Sequence, residues 1–441
     1  MSAVANILIN QGCIVYGSDT QASPLTSNLE KMGAKINTKQ DGSSLKSETD
    51  MVVVSAAISE DNPDLKAARR MGIKIVKYSQ ILGSLMKDKH GIAISGTHGK
   101  TTTTAMVSTI LKTAGLDPSY VIGGVVPAIG GNAHLGKGDL FVAEACEYDE
   151  SFLNLSPQIG IITNIEEDHL DYYNSIDDII NAFGNFASII SQNGLVVAKD
   201  HDSNIAAALQ KAKCKVERYS LNNSSDWWGE LLPSGNGKNQ FKIFRKNDHF
   251  GDFSLKIPGA HNVLNAIAAT AVCSSIGVDK NSIKTALESF CGANRRFQII
   301  GTKNDISVID DYAHHPTEVR VTLKAARELY PNKRIWCVFQ PHQHSRTRFF
   351  MKEFAKSFQH ADKVILAQIY AARDSDSEVS EMNSINLYED TLKAGKDVQY
   401  VPQLCDIVNL LSLQVKPGDV VITMGAGNVG KVAYDLVSKL S

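Results

Sequence analysis

This sequence has almost no net charge, no paired cysteines and no long apolar run, and each absence removes a class of function. Its 45 lysines and arginines nearly balance 47 acidic residues, for a formal charge of −2. No basic face therefore advertises nucleic acid or an anionic membrane. No stretch reaches the roughly 18 apolar residues that a membrane span requires. The seven cysteines, at positions 13, 146, 214, 273, 291, 337 and 405, are scattered and form no Cys-x-x-Cys pair. That pattern reads as reduced, mostly buried thiols in a cytosolic protein, not as a disulfide framework. The opening run Met1–Ile9 has no basic region and no export character, so the expectation is a cytoplasmic protein. Internal repeats and low-complexity tracts are also missing. What is present is 441 residues at 43% hydrophobic content, ample for cores in about two to four domains.

Strand-like apolar runs alternate with helical periods almost throughout, which predicts an α/β fold with largely parallel sheets. Three segments emerge. Residues 1–80 open as a helix and hold short strands at Cys13–Asp19, Met51–Ser55 and Ile73–Val76, as a small βαβ domain. Residues 81–294 carry buried strands at Gly91–Ile94, Leu140–Glu144, Ile159–Asn164 and Gly194–Ala198, the continuous apolar kind that parallel sheets use. Within them, 218–256 reads as a locally antiparallel insertion with a Gly-Asn-Gly-Lys turn at 235–238, and Pro258–Asn262 opens an Ala-rich helix. Residues 295–441 add strands at Ile306–Asp310, Arg334–Phe339, Lys363–Leu366 and Asp419–Thr423, with a solvated loop expected at 374–378.

The most informative stretch is Ser95-Gly96-Thr97-His98-Gly99-Lys100-Thr101-Thr102, set between a strand and a helix. Its glycines let backbone N–H groups curl around anionic oxygens, and the helix N-terminus adds partial positive charge. Lys100 would reach the β- and γ-phosphates, and the Thr101 hydroxyl would face Mg²⁺. Gly96 and Gly99 stand two residues apart where the Walker loop has four, so this is a shortened phosphate loop.

Other polar clusters fall at the carboxyl ends of strands, where open α/β sheets bind ligands. Glu144 ends one strand and suits Mg²⁺, while Glu147, Asp149 and Glu150 read as a surface acidic loop. Thr163–Asp171 repeats the logic, and there His169 fits both a metal ligand and a bystander. Asn294–Phe297, Ile309–Thr317 and Phe339–Thr347 crowd arginine, aspartate and histidine at further strand ends. Gly425–Gly430 matches Gly-x-Gly-x-x-Gly, but eleven residues follow it and none is an acid about twenty positions on. It reads as a tight strand-to-helix turn, not a nicotinamide site.

In combination these motifs resemble the Mur ligase family. The carrying residues are Gly96–Thr102, Glu144–Glu147, Thr163-Asn164 with Asp168-His169, Gly259 with His261-Asn262 and Asn265-Ala266, Arg295–Gln298, Asp310–Glu318, Phe339–His342 and Gly425–Asn428; Ser55–Ile58 with Asn62-Pro63 matches the family's first domain. The resemblance spans almost the whole chain. It implies a Rossmann-like N-terminal domain, a central P-loop ATPase-like domain and a C-terminal Rossmann-like domain. It also implies an ATP- and Mg²⁺-dependent ligation of L-alanine to UDP-N-acetylmuramate, without nucleic acid or membrane, by a monomer or weak homodimer. A murein tripeptide recycling ligase and a degenerate non-catalytic nucleotide-binding module are the alternatives.

Site roles follow from the resemblance in the same way. Lys100 and Arg296 would bracket the γ-phosphoryl group, with Gly96, Thr97, His98, Gly99, Thr101 and Thr102 cradling phosphates. Thr101 and Glu144 would hold one Mg²⁺ and His169 a second. His261, Asn262 and Asn265 would meet the adenine end and Asp311 the ribose. Asn164, Tyr312, His314, His342 and Arg346 would line the acyl and amino-acid side, and Ser18, Asp19, Ser55 and Ala57 the UDP pocket. The chain departs from the family twice. A strand and a Gly-x-Gly-Gly-x-Gly loop ahead of Met1-Ser2 are not in this sequence, which implies a weakened first sheet and a weakened hold on the UDP diphosphate. Gln343 stands where many relatives have arginine, which implies one cationic group fewer for an anion, or Arg346 in its stead.

Overall fold

In the computed structural model, which describes residues 1–233, 239–372, 374 and 384–440, three sheet systems follow one another along the chain. The expected turn at 235–238 and most of the expected loop at 374–378 lie outside the described residues. The first region pairs Tyr16–Ser18 with Lys35–Asn37, and Met51–Val54 with Lys74–Lys77, both in parallel. The two pairs are separate two-stranded sheets, so the first sheet is divided. Its helices are set by local chemistry: Ser23 caps Pro24–Lys31 and Asn62 caps Pro63–Arg70, each with proline at the first turn.

The central sheet has ten strands. In spatial order they are Asp248–Leu255, Asn239–Arg245, Trp227–Leu231, Lys215–Ser220, Leu195–Lys199, Ile159–Ile162, His90–Ser95, Leu140–Glu144, Ser119–Val126 and Gly131–His134. The middle of this sheet is parallel and buried on both faces, as its Ile/Val-rich runs require. Within 218–256, Trp227–Leu231, Asn239–Arg245 and Asp248–Leu255 pair antiparallel as expected, yet they are no insertion. Trp227–Leu231 pairs in parallel with Lys215–Ser220, so the hairpins extend the main sheet. The joint is fixed by buried Trp227, whose indole N–H donates to Glu217 at 2.8 Å. The helices Lys100–Thr113 and Ala260–Ser275 cover one face with Ile110, Leu111, Val263 and Ile267. Phe183 and Phe186 of the helix Ile176–Ile189 cover the other.

The C-terminal sheet runs Gln298–Lys303, Ile306–Asp311, Val420–Met424, Ile335–Phe339, Lys363–Leu366 and Val398–Tyr400, parallel except for its first pair. Two apolar clusters sandwich it, one around Phe339 and Phe354 and one around Trp336 and Leu436. One composition-based expectation fails here. Cysteines 13, 146, 291 and 405 are exposed, and only Cys273 and Cys337 are buried; all seven are free thiols. Counting cysteines locates none of them, because position on a sheet or loop decides burial. Among the described residues, no helix is long and apolar enough to cross a membrane.

Candidate active site

Three adjacent parallel strands of the central sheet end side by side: Ile159–Ile162, His90–Ser95 and Leu140–Glu144. Their carboxyl ends supply Asn164–His169, the phosphate loop and Glu144–Glu147, at the point where connections leave the sheet in opposite directions. The loop needs its glycines. Gly96 has φ 135°, and a Cβ there would lie 1.9 Å from the Thr163 hydroxyl. Gly99 has φ 82° and serves as the cap of the helix Lys100–Thr113; a Cβ would lie 2.8 Å from Asn265 Oδ1.

The neighbouring strand end pins the loop from one side. Thr97 N–H donates to the Asn164 carbonyl at 3.0 Å, and His98 N–H to Asn164 Oδ1 at 2.8 Å. Asn164 Nδ2 and the Thr163 hydroxyl both donate to the His98 carbonyl, at 3.1 and 2.5 Å. Asn164, expected on the substrate side, thus spends its amide holding the loop. Lys100 donates to the Gly96 carbonyl, to the Thr97 carbonyl at 3.0 Å and to Glu147 at 2.9 Å. Burial would lower its pKa, but the negative charges of Glu147 and Glu144 outweigh that and hold the ammonium above its ordinary value. Thr101 donates to Glu144 at 3.0 Å, and Glu144 also accepts from Gly123 N–H at 2.8 Å. Thr102 is buried in the same first turn.

Glu147 corrects the reading of a surface acidic loop. It is 2% exposed, and burial alone would raise its carboxyl; Lys100 and His169 (Nε2 at 3.5 Å) pull it below the ordinary range. Asp149 and Glu150 are half-buried in left-handed backbone, with Asp149 2.5 Å from Lys77 of the first region. The signal that could have found Glu147 is its place three residues beyond a buried strand end that faces a lysine loop.

The C-terminal sheet closes over this edge with its own strand ends. Arg295 and Arg296 stack on Tyr312, with guanidinium carbons 5.0 and 5.2 Å from the ring centre. Arg295 is committed to Asp310 at 2.9 Å and to the Gly425 and Gly427 carbonyls, so the glycine run is a turn that a guanidinium braces. Arg296 reaches across to the Thr101 hydroxyl at 3.5 Å. Asp311 accepts from Phe297 and Ala313 N–H at 2.7 and 2.8 Å; burial outweighs nearby Arg296 and pushes its carboxyl up to about 6. Burial pushes His314 down to about 3 and His261 to about 4, so both imidazoles are neutral. Asn262 and Asn265 are buried beside Gly99, 3.4 Å apart.

Arg346 is buried and forms a two-nitrogen contact with Asp168, at 2.7 and 3.2 Å. Its positive charge outweighs burial and holds the Asp168 carboxyl far below its ordinary value. The guanidinium expected to compensate for Gln343 is therefore neutralised within the protein. Gln343 itself is 3% exposed, with φ 69°, and its N–H donates to the Tyr370 carbonyl at 3.0 Å. His342 stacks on Tyr370, 5.7 Å between ring centres, with Nδ1 3.3 Å from Arg346. Left-handed backbone at His169, Arg295, Phe297 and Gln343 gathers strain along this one seam.

Further contacts close the seam: Thr317 to Glu166 at 2.7 Å, His315 Nε2 to the Glu167 carbonyl at 3.0 Å, and His98 Nδ1 to Glu318 at 3.2 Å. A groove of about 560 Å³ beside them is lined by Glu166, His315, Thr317, Arg320, Phe350 and Lys356, none from the phosphate loop. Of the residues expected to hold UDP, Ser18 donates to Asp64 at 2.5 Å, Asp19 accepts from Gln21 N–H at 3.1 Å, and Ser55 accepts from Ala57 N–H at 3.3 Å. All four lie in the first region.

Three family models tile the chain: Mur ligase family, catalytic domain, over residues 1–90; Mur ligase middle domain over 94–273; and Mur ligase, glutamate ligase domain, over 295–427. A UDP-N-acetylmuramate–L-alanine ligase of Acetivibrio thermocellus is 45% identical, covering 98% of this chain and 92% of that protein. The crystal structure of UDP-N-acetylmuramate-alanine ligase MurC from Thermotoga maritima superposes with a TM-score of 0.85 at 30% identity, over 100% of this chain and 96% of that one. A murein peptide ligase from Psychrobacter arcticus follows with a TM-score of 0.76 at 26% identity and the same coverage. By motifs, fold and full-length similarity, the chain belongs to the Mur ligase family.

Proposed function

We propose that this protein is an ATP-dependent amide ligase that joins L-alanine to the carboxylate of UDP-N-acetylmuramate through an acyl phosphate. One observation carries the reading: Lys100, Thr101 and Glu144 of the central sheet meet Arg296 of the C-terminal region at a single seam. In the first step a muramate carboxylate oxygen attacks the γ-phosphorus and ADP leaves. The alanine amine then attacks the acyl carbonyl, phosphate leaves, and the nitrogen loses its proton. Anion must approach anion, so positioning and electrostatics supply most of the rate.

Each residue then has a task. Lys100 turns from Glu147 toward the γ-phosphoryl oxygens, and Arg296 adds a second positive charge from across the seam. Asn262 and Asn265 read adenine, with His261 nearby, and Asp311 meets the ribose. Tyr312, neutral His314, His342 and Arg346 shape the acyl and amine side, and Asn164 acts through the loop it holds. Ser18, Asp19, Ser55 and Ala57 border the UDP end. Residues 1–80, 81–294 and 295–441 serve as UDP-binding, ATP-binding and closing domains. Closure excludes water from the acyl phosphate.

The donor set suits a hard divalent cation. Thr101 and Glu144 present a hydroxyl and a carboxylate 3.0 Å apart, and His169 Nδ1 is buried without a hydrogen-bond partner among the described residues. Thr101 and Glu144 would hold one Mg²⁺ and His169 a second, and both would neutralise phosphate charge. The reading implies a cytoplasmic enzyme, a monomer or weak homodimer, with no nucleic-acid or membrane partner.

The test labels the muramate carboxylate with ¹⁸O. One labelled oxygen per turnover is expected in released phosphate, with ADP release dependent on alanine. Unlabelled phosphate would refute the acyl-phosphate route, and preference for a tripeptide amine would reassign the substrate to that of murein peptide ligases.

A further inference from the structure

His98 sits inside the phosphate loop, yet both of its ring nitrogens face carboxylates. Nδ1 is 3.2 Å from Glu318 Oε1, and Nε2 is 3.6 Å from Glu166 Oε2. Glu166 stands on the same sheet edge as the loop. Glu318 does not: it belongs to the first turn of the helix Pro316–Leu329 in the C-terminal region. A neutral imidazole carries one N–H and one lone pair, so it would turn that lone pair toward one of the two carboxylates. Only the doubly protonated ring turns an N–H toward both, a hydrogen bond to Glu318 and a longer charge contact to Glu166, since Nε2 has no hydrogen-bond partner among the described residues.

Glu318 is itself held in place. Its second oxygen accepts from His314 N–H at 3.0 Å and His315 N–H at 3.3 Å, which closes the capping box of its helix. Arg296 lies 3.9 Å from its first oxygen. The carboxylate is thus aimed by its own backbone, and its free side meets His98 only when the two regions are docked. His315 does not compete for the role. Its Nε2 contacts the Glu167 carbonyl and its Nδ1 accepts from Thr317 N–H, so both nitrogens are engaged in the seam.

We infer that Glu318 is a positioning residue: by seating its carboxylate on His98, docking of the C-terminal region converts the phosphate loop's imidazole into a fixed cation. The groups facing His98 bear this out in sum. Burial lowers the ring's pKa, and the ring of His315, 4.6 Å away, is kept neutral by burial that pushes it down to about 4. Glu318 and Glu166 outweigh burial and raise His98 to about 9. Behind Glu318 stand Arg296, neutral His314 and neutral His261. Without Glu318, one carboxylate remains against the same burial. The loop would then gain its extra positive charge only in the closed state, when two anionic substrates must be brought together. This rests on the proposed ligation for its purpose, but not for its test.

The test uses the full-length chain with ¹⁵N-labelled histidine and follows the His98 ring nitrogens by NMR from pH 5 to 10. The wild type should stay doubly protonated through pH 8 and titrate near 9. Glu318→Gln keeps an acceptor for the helix cap and should bring the titration back to about 6.5, the ordinary imidazole value, whereas Glu318→Asp should restore part of the shift. ATP affinity, measured by calorimetry, should then weaken in Glu318→Gln at pH 8 by about tenfold and much less at pH 6. His98→Gln should give the same loss, and the double variant no more. A neutral His98 at pH 8 in the wild type, or a titration unmoved by Glu318→Gln, overturns the inference. An equal affinity loss at both pH values would assign Glu318 a purely structural part and overturn it too. Because ring titration needs no turnover, absence of alanine ligation would refute the proposed function and leave this result to stand or fall separately.

Discussion

The first region and the two that follow it use the same α/β vocabulary with different commitment to a core. Every strand residue from Tyr16 to Ser18 and from Met51 to Val54 is half-exposed, while Ile159–Ile162 and Ile335–Phe339 are buried at every position. The reason is topological. A parallel strand becomes buried when strands flank it and helices cover both faces. The first region offers pairs of strands, and the central region offers ten in one sheet. The regions also divide the chemistry. Buried charge pairs gather where burial is deep, at Lys100–Glu147 and Arg346–Asp168, whereas Lys66–Asp61 and Arg69–Glu60 in the first region lie open to water.

The largest expected effect lies in the deep site. Lys100→Ala should abolish turnover, at least about a thousandfold in kcat, while the chain stays folded. Glu147, left unpaired at 2% exposure, should lower stability, and Glu147→Gln combined with Lys100→Met should restore the melting temperature without restoring ADP release. Next comes the seam. Arg346→Met strands buried Asp168 and should cost about 3–5 kcal/mol of docking stability, visible as a separate early transition of the C-terminal region in calorimetry. Packing should then separate the regions directly. Ile161→Ala should cost about 2–5 kcal/mol in denaturant melts, and half-exposed Ile75→Ala about 1 or less. Equal costs would mean that the first region packs as tightly as the centre.

The smallest effect is a pH slope. Asp311 titrates near 6 in the fold and near 3.8 when unfolded, so the folded state binds the extra proton between those values. Stability from this group is therefore greatest below about pH 4 and is lost as pH rises through 6. Asp311→Asn should flatten that slope, measured as melting temperature at pH 5 against pH 7.

Much of this was legible in the residues. The phosphate loop, Glu144 and the clustered strand ends could be read because a strand end, a glycine pair and a lysine are neighbours in sequence. Periodicity likewise located the apolar strands of the middle sheet. Strand Ser119–Val126 escaped because its two glycines break the apolar run, and Lys215–Ser220 because its polar residues hide the pattern. Glu147 was misread since an acidic run looks solvated until its lysine partner, 47 positions away, is brought to it. Asp168 and Glu318 meet their partners across 178 and 220 residues, and no local rule encodes such a meeting. The family resemblance supplied roles for residues such as Asn164 and Arg346, which the fold has already put to use as loop tie and seam pin.

Lys100 rests on two carbonyls of its own loop and on Glu147. On the proposed reading, a triphosphate arriving there would trade one set of oxygens for another, so its affinity would record only the surplus over an internal rival. ADP, lacking the terminal phosphoryl, would have less with which to hold the ammonium. Once the γ-group had moved to the sugar acid and then left as phosphate, the side chain would have somewhere to return, and its return would help to expel the spent nucleotide.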